Sequence, residues 1–187
     1  MNFFFPNVSG KGCFLKQSLI AHRVLVLLLA ALLTFLTHCT AGDKETTSLP
    51  VPDFTVKTLD GHELTLSQLR GKTVLIDFWA TWCAPCRESI PHLVHFYKTY
   101  DRERFELIGM SLDRGDPKAV ENFAKSMDIP YPIAIAPEEV AKGFGVTQIP
   151  TTIVIDGEGK IQQKIVGFST DVARQIAAKL DELTAKK

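Results

Sequence analysis

Two cysteines separated by two residues are the part of this sequence best suited to chemistry. They lie in the run Ala80-Thr81-Trp82-Cys83-Ala84-Pro85-Cys86-Arg87. Two thiols this close together can close a small disulfide and exchange it with the thiols of other molecules. A structural zinc site needs four ligands, and the chain after Ala41 contains no second cysteine pair. The cysteine pair therefore predicts a dithiol redox centre.

The segments around the pair predict how the two thiols are presented. Thr73–Trp79 is apolar and rich in β-branched and aromatic residues, as is typical of a buried strand. Pro85 suits the first turn of a helix, where its missing N–H would have no partner. Cys83 would then lie at a helix N-terminus, whose partial positive charge holds the pKa of a thiol below its ordinary value of about 8.5. This joint between strand and helix predicts that Cys83 is the attacking thiol and that Cys86 resolves the mixed disulfide.

The stretch from Phe78 to Arg87 resembles the active site of the thioredoxin superfamily, in particular the membrane-tethered bacterial thiol-disulfide oxidoreductases of the TlpA/ResA type. The resemblance extends from about Val51 to the C-terminus. It implies an α/β, thioredoxin-like fold, with a mixed central sheet flanked by helices, an N-terminal β-hairpin and a central strand–helix insert at about 113–144. It also implies an enzyme that acts on protein thiols and disulfides without a cofactor or a metal.

Local patterns predict the individual elements. Asp60-Gly61 and the run from Asp156 to Gly159 are typical of hairpin turns. Apolar residues at helical spacing indicate the helices. The predicted strands cover 54–58, 62–66, 73–79, 105–111, 132–136, 151–155 and 160–166. The predicted helices cover 84–100, 116–127, 137–144 and 170–183.

Asp77 is a carboxylate inside an apolar strand, where burial is costly without a function or a partner. The resemblance matches it to the buried aspartate of thioredoxins and implies that it helps to move the proton of Cys86. Burial is then expected to raise its pKa. The alternative is a side chain that faces solvent at the end of the sheet, because successive strand residues point to opposite faces. Thioredoxins often pair this acid with a lysine on the next strand, but Leu107–Ser111 contains none.

Residues near the cysteines are expected to bind the partner protein. Ile149-Pro150 matches the cis-proline site of the superfamily, which implies a position opposite the cysteines and a backbone that pairs with an extended substrate segment. An ordinary trans loop proline is the alternative. Trp82 is expected to form part of the contact surface, because aromatic residues concentrate at such surfaces. Ala84 and Pro85, between the cysteines, complete the predicted substrate-binding set.

The N-terminal 41 residues predict export from the cytoplasm. Val24–Leu36 is a run of 13 residues without a charge, which is short for a membrane span and typical of the core of a signal peptide. Cys39 follows Leu36-Thr37-His38 in a pattern that resembles a lipoprotein processing site, which would lipidate Cys39. Cleavage after Ala41 and an uncut membrane anchor are the alternatives.

The rest of the chain predicts one domain behind a linker. Residues 42–50 are small and polar and indicate the linker, and residues 51–187 indicate a thioredoxin-like domain. The chain has 21 basic and 21 acidic residues, but three basic and no acidic residues precede Asp43. The remainder therefore carries 18 basic against 21 acidic residues, a net charge of −3. This balance excludes the basic face that nucleic-acid binding requires.

The predicted function is an extracytoplasmic protein-disulfide reductase. The resemblance implies a membrane electron donor and, as a typical partner, apocytochrome c before haem attachment. A peroxiredoxin-type thiol peroxidase is the second hypothesis, but its pattern has Thr or Ser and Pro where this chain has Ala80 and Ile76. A copper metallochaperone is the third, but no histidine follows His95. His92 and His95 are expected on a solvated helix face.

Overall fold

The structure, a computed structural model, describes residues 51–185. Within them lie a five-stranded mixed sheet, a two-stranded sheet and four α-helices. The strands are β1 Thr55–Lys57, β2 Glu63–Thr65, β3 Thr73–Trp79, β4 Phe105–Ser111, β5 Ile133–Ile135, β6 Thr151–Ile155 and β7 Ile161–Val166. The helices are α1 Ala84–Thr99, α2 Pro117–Ser126, α3 Glu138–Gly143 and α4 Thr170–Ala185, with a 3₁₀ turn at Leu66–Leu69.

The central strand of the large sheet is β3, in the order β5-β4-β3-β6-β7. It runs parallel to β4 and antiparallel to β6. Every residue of β3 is buried, which explains its continuous apolar run, since a strand covered on both faces has no solvent side. The predicted bounds of β3, β4 and β6 are confirmed to the residue, and the other elements differ by one or two residues at their ends. The predicted fold class is confirmed.

The two faces of the large sheet pack against different helices. On one face, Leu75 and Trp79 lie in a core with residues of α1 and α4. On the other face, Ile76 and Phe78 pack with Phe54 before β1 and with residues of α3. Because side chains alternate along a strand, Asp77 shares the α1 face with Leu75 and Trp79. The helix that begins after Cys83 therefore covers the side of the sheet that carries the carboxylate.

The predicted hairpin and insert are both present. β1 and β2 pair antiparallel, and the residues that follow β1 reach the edge strand β5 through a backbone hydrogen bond from Leu59 N to Ile133 O of 2.7 Å. The insert consists of α2, β5 and α3, between β4 and β6. Since β5 is an edge strand, this contact covers part of a backbone that would otherwise be open to pairing.

The predictions for the N-terminal segment, the linker and Cys39 concern residues outside 51–185 and lie beyond the part of the chain that the structure describes. Between residues 51 and 185, no helix combines the length and the apolar character needed to cross a membrane.

Candidate active site

The two cysteines occupy the start of α1, at the end of the central strand. Cys83 is the N-cap residue, and the backbone N–H of Cys86 donates a hydrogen bond to its sulfur at 3.3 Å. The sulfurs are joined in a disulfide, with the Cα atoms 5.3 Å apart. Pro85 lies in the first turn, as its missing N–H allows. The geometry agrees with the predicted strand–helix joint, and after reduction the helix N-terminus would favour the thiolate of Cys83.

The two cysteines of the disulfide differ in their exposure to solvent. Cys83 is 5% exposed, whereas Cys86 is completely buried. Trp82 is 66% exposed, which is unusual for so large an apolar side chain, and Ala84 and Pro85 are exposed as well. An incoming molecule therefore reaches the sulfur of Cys83 before that of Cys86. The assignment of Trp82, Ala84 and Pro85 to partner binding is a prediction that this placement permits.

The loop before β6 closes the same end of the sheet. β6 is antiparallel to β3, so β6 begins where β3 ends, and Thr151 pairs with Phe78. The Ile149–Pro150 peptide bond is cis. Pro150 is buried, and its carbonyl accepts a hydrogen bond from Gly167 N at 2.7 Å. Ile149 is half-buried between the two cores, and its predicted pairing with a substrate segment stays a prediction.

Asp77 is completely buried, so the solvent-facing alternative is wrong. Its Oδ1 accepts a hydrogen bond from Thr152 Oγ1 at 3.4 Å, while Oδ2 has no hydrogen-bond partner among the described residues. Burial raises the pKa of the carboxyl to about 7, and the Thr152 hydroxyl offsets this only in part. A carboxyl with such a pKa can accept or release a proton near neutral pH, which is the property that a proton carrier for Cys86 requires.

Gly109 and Tyr131 complete the environment of Asp77, and no sequence pattern had indicated a role for Tyr131. Gly109 of β4 pairs with Asp77 of β3 across the parallel strands. A Cβ at Gly109 would lie 3.1 Å from Trp79 Nε1 and 3.2 Å from Tyr131 Cε2, so these two rings fill the space. Neither Trp79 Nε1 nor Tyr131 Oη has a hydrogen-bond partner in the described part of the chain. Desolvation, together with the charge of Asp77, holds the pKa of Tyr131 well above its ordinary value.

Asp113 is a second residue that the sequence analysis missed. Asp113 lies two residues past the end of β4, and Thr81 lies two residues past the end of β3. The two strands are parallel, and their last residues, Trp79 and Ser111, are paired. Asp113 Oδ2 accepts the backbone N–H of Thr81 at 2.9 Å, and its Oδ1 accepts the Thr81 hydroxyl at 2.6 Å. The signal was available in principle, because polar residues after adjacent parallel strands meet at one edge of a sheet.

Three further polar residues of α1 follow the cysteines: Ser89, His92 and His95. His95 is exposed, as predicted, whereas His92 is half-buried, with its ring centroid 5.3 Å from that of Phe168, so its side chain is solvated only in part. Ser89 is buried and donates to Cys86 O at 2.8 Å. Within residues 51–185, no cluster of three or more His, Cys, Asp and Glu residues is arranged to hold a metal ion.

Known proteins are similar to this chain in sequence and in fold. Residues 48–164 match the model of the AhpC/TSA family. The chain is 33% identical to the thiol-disulfide oxidoreductase ResA of Bacillus thuringiensis subsp. konkukian, over 83% of this chain and 92% of that protein. It is 36% identical to ResA of Geobacillus kaustophilus, over 86% of this chain and 96% of that protein. A thioredoxin family thiol:disulfide interchange protein of Chlorobium tepidum superposes with a TM-score of 0.63 and 34% identity, over 71% and 97% of the two chains.

The relatives cover the described domain and carry the same class of activity in their names. Their similarity agrees with the dithiol geometry at the start of α1. The chain therefore belongs to the AhpC/TSA family and, within the thioredoxin-like fold, to the thiol-disulfide oxidoreductases of the ResA type.

Proposed function

We propose that this protein reduces disulfides of other proteins outside the cytoplasm, with Cys83 as the attacking thiol. The observation that carries the proposal is the Cys83–Cys86 pair at a helix N-terminus, with Cys83 the more accessible sulfur and Trp82 exposed beside it. An exposed aromatic side chain next to a reactive thiol suits a macromolecular partner, because aromatic residues supply much of the contact energy at protein interfaces.

The reaction follows from the positions of the two sulfurs. The Cys83 thiolate attacks one sulfur of the partner disulfide, that S–S bond breaks, and the other partner sulfur leaves as a thiolate. Cys86 then gives its proton to the Asp77 carboxylate, attacks the Cys83 sulfur and releases the second partner sulfur. Two electrons pass to the partner, and the Cys83–Cys86 disulfide is the oxidised product. A second thiol donor must reduce it before another cycle.

Export, anchoring and the partners are the finer parts of the proposal. Residues 1–41 support export through their charge-free run and the basic residues that precede it. An oxidising compartment is also where a protein-disulfide reductase has disulfides to act on. The resemblance to the TlpA/ResA group supports a membrane thiol donor as the source of electrons and apocytochrome c as a client.

The reduction potential of the pair tests the direction. The full chain in detergent is equilibrated in glutathione or dithiothreitol buffers, and the fraction of free thiol is measured. A potential of about −270 mV supports a reductant, whereas one of about −120 mV makes the protein an oxidant and overturns the direction. Absence of a reversible two-electron transition overturns the dithiol chemistry itself.

Two serine variants test the roles of the thiols. Reduced Cys86→Ser retains the attacking sulfur and is expected to accumulate a mixed disulfide with a disulfide-containing peptide. The matched variant Cys83→Ser is expected to form none, because Cys86 is completely buried. An adduct that forms equally in both variants contradicts the assignment of Cys83 as the nucleophile.

The client is tested separately in cells of the source organism. Replacement of the gene by the Cys83→Ser variant is expected to lower covalently bound haem in c-type cytochromes, and an added thiol reductant is expected to restore it. Unchanged haem staining contradicts the apocytochrome c role and leaves the dithiol chemistry intact.

Neither of the other hypotheses has a specific observation in its favour. The positions that peroxidases use to activate peroxide are the apolar side chains of Ala80 and Ile76, both completely buried. The nearest hydroxyl along the chain, that of Thr81, is bound to Asp113. Copper binding by two sulfurs spaced by two residues has no histidine after His95 to complete it.

A further inference from the structure

The loop between β3 and Cys83 is held by a carboxylate from the neighbouring strand. Asp113 accepts both the N–H and the hydroxyl of Thr81, at 2.9 and 2.6 Å. Its Oδ2 also accepts the Ser111 hydroxyl at 2.8 Å, and the same hydroxyl oxygen accepts Asp113 N–H at 3.1 Å. The carboxylate is therefore locked to its own strand while it binds the loop. Hydrogen bonds to a charged acceptor are stronger than those between neutral groups.

Thr81 is held from the other side as well. Arg87, one residue past Cys86, donates from Nε to Thr81 O at 3.0 Å. Its guanidinium carbon lies 5.7 Å from the centroid of the Phe123 ring on α2. The N–H, the carbonyl and the hydroxyl of Thr81 thus all have partners. Because all three of its polar groups are bound, Thr81 has little freedom to move.

We propose that Asp113 is a positioning residue for the dithiol reaction, which binds Thr81 and so holds Cys83 at the N-terminus of α1. The two hydrogen bonds from Thr81 to Asp113 form a clamp on the loop. Only Trp82 separates Thr81 from Cys83, so the clamp also positions the exposed Trp82 side chain. The stabilising field of a helix terminus falls off within one turn, so a small displacement of the Cys83 sulfur changes both its thiolate fraction and its line of attack.

The inference rests on the dithiol chemistry of the proposed function, but not on its direction or its client. Asp113 does not take part in any bond that forms or breaks, and Thr81 is the residue through which it acts. Loss of the clamp is therefore expected to slow thiol–disulfide exchange and to shift the pH at which Cys83 becomes reactive, in an otherwise folded protein.

Four variants separate the clamp from other effects. Thr81→Val keeps the shape of the side chain and removes the hydroxyl, whereas Thr81→Ser restores the hydroxyl. Asp113→Ala removes both acceptors. Asp113→Asn keeps an oxygen that can accept the Thr81 N–H. Its NH₂ group replaces the other carboxylate oxygen and can donate a hydrogen bond to the Thr81 hydroxyl oxygen. Asp116→Ala is the control, because Asp116 is exposed in the same loop and caps α2 through Lys118 N without contact to Thr81.

The experiment measures two quantities on the reduced full chain in detergent. One is the rate of reduction of a peptide disulfide, and the other is the pH midpoint of Cys83 alkylation. We expect Asp113→Ala and Thr81→Val to slow the reaction by about tenfold or more and to shift the midpoint, while Asp113→Asn, Thr81→Ser and Asp116→Ala stay within about threefold of wild type.

Three results would overturn the inference. One is a wild-type rate and midpoint in Thr81→Val. Another is an Asp113→Asn defect as large as that of Asp113→Ala, which would assign the effect to the charge of Asp113. The third is an equal defect in Asp116→Ala. If Asp113→Ala does not fold, the Thr81→Val and Thr81→Ser pair decides. An unreactive wild-type protein would instead contradict the proposed function.

Discussion

Asp77 couples the acid–base chemistry of the site to the stability of the fold. Burial raises its pKa from 3.8 to about 7 in the folded chain. Between these values the native state binds more protons than the unfolded state. The free energy of unfolding therefore falls as pH rises through this window. A shift of this size corresponds to about 4 kcal/mol, on the order of a third or more of the stability of a typical domain.

Asp77→Asn is expected to abolish most of this pH dependence. The amide can still accept the Thr152 hydroxyl but carries no charge to desolvate. The oxidised variant should match wild type near pH 4 and exceed it at pH 8 by up to about 4 kcal/mol. Guanidinium unfolding of both proteins across this range gives the measurement. Parallel pH profiles would contradict the assignment of the raised pKa to Asp77.

The hydroxyl of Tyr131 is a second buried polar group whose removal is informative. It has no partner among the described residues, whereas the hydroxyl of Tyr100 binds Asp181 Oδ1 at 2.7 Å and Ala177 O at 3.2 Å. Tyr131→Phe is expected to raise the free energy of unfolding by about 1 kcal/mol, because an unsatisfied buried hydroxyl is lost. The matched variant Tyr100→Phe should lower it by about 1 kcal/mol.

Denaturant unfolding of these two phenylalanine variants gives a direct comparison. A loss of stability in Tyr131→Phe as large as that in Tyr100→Phe would show that the Tyr131 hydroxyl is bound in solution. The rate of disulfide reduction by Tyr131→Phe is a second measurement, since Tyr131 packs over Gly109 beside the carboxylate of Asp77.

At the scale of elements, β7 is an edge strand that is joined to the end of α3. Lys164 of β7 donates from Nζ to Phe144 O at 2.8 Å and to Gly145 O at 2.6 Å. These carbonyls end a helix and have no N–H of a further turn to bind. The ammonium group also favours the negative end of the helix.

Lys164→Met is expected to lower the free energy of unfolding by about 1 kcal/mol, since it keeps most of the stem and removes the donor. Lys160→Met is the control, because the side chain of Lys160 forms an exposed ion pair with Glu158, 2.8 Å from Nζ to Oε2, and its loss should have a smaller effect. Chemical denaturation of both variants supplies the test. Equal losses would mean that the contact with α3 adds no stability.

At the level of the whole molecule, the N-terminal segment predicts the cellular location of the domain. If Cys39 is lipidated, Cys39→Ala is expected to move the protein from the membrane fraction to the soluble fraction, because the lipid supplies most of the anchoring energy. Cys13→Ala is the matched control and should leave the distribution unchanged. Immunoblots of cell fractions measure both.

Two other distributions of the protein between the membrane and soluble fractions would identify the uncut anchor or cleavage after Ala41. Membrane attachment that survives Cys39→Ala supports the uncut anchor, and wild-type protein in the soluble fraction supports cleavage after Ala41. Either result contradicts lipidation. The proposed location outside the cytoplasm is contradicted if protease added to spheroplasts leaves the domain intact.

Local patterns were sufficient to predict most of the individual elements, whereas the fold class was implied by the resemblance to the thioredoxin superfamily. The bounds of β3, β4 and β6 came out to the residue because fully buried strands are continuous apolar runs. The short edge elements were less accurate: β1, β2 and β5 are each three residues long, too short for a pattern to mark both ends. The pair Cys83 and Cys86 was predictable because strand, turn and helix start are adjacent in the chain.

The dithiol, the helix start that favours its thiolate and the order of the elements could be read from the amino-acid sequence, since each depends on residues a few positions apart. The folded chain was needed to learn that Asp77 is completely buried, that Tyr131 fills the space over Gly109 and that Asp113 binds Thr81. Those contacts join residues that are more than about 20 positions apart in the chain, and the pairing of parallel strands brings them together. A local pattern predicts which residues require burial or a partner, whereas the register of the sheet determines which residue that partner is.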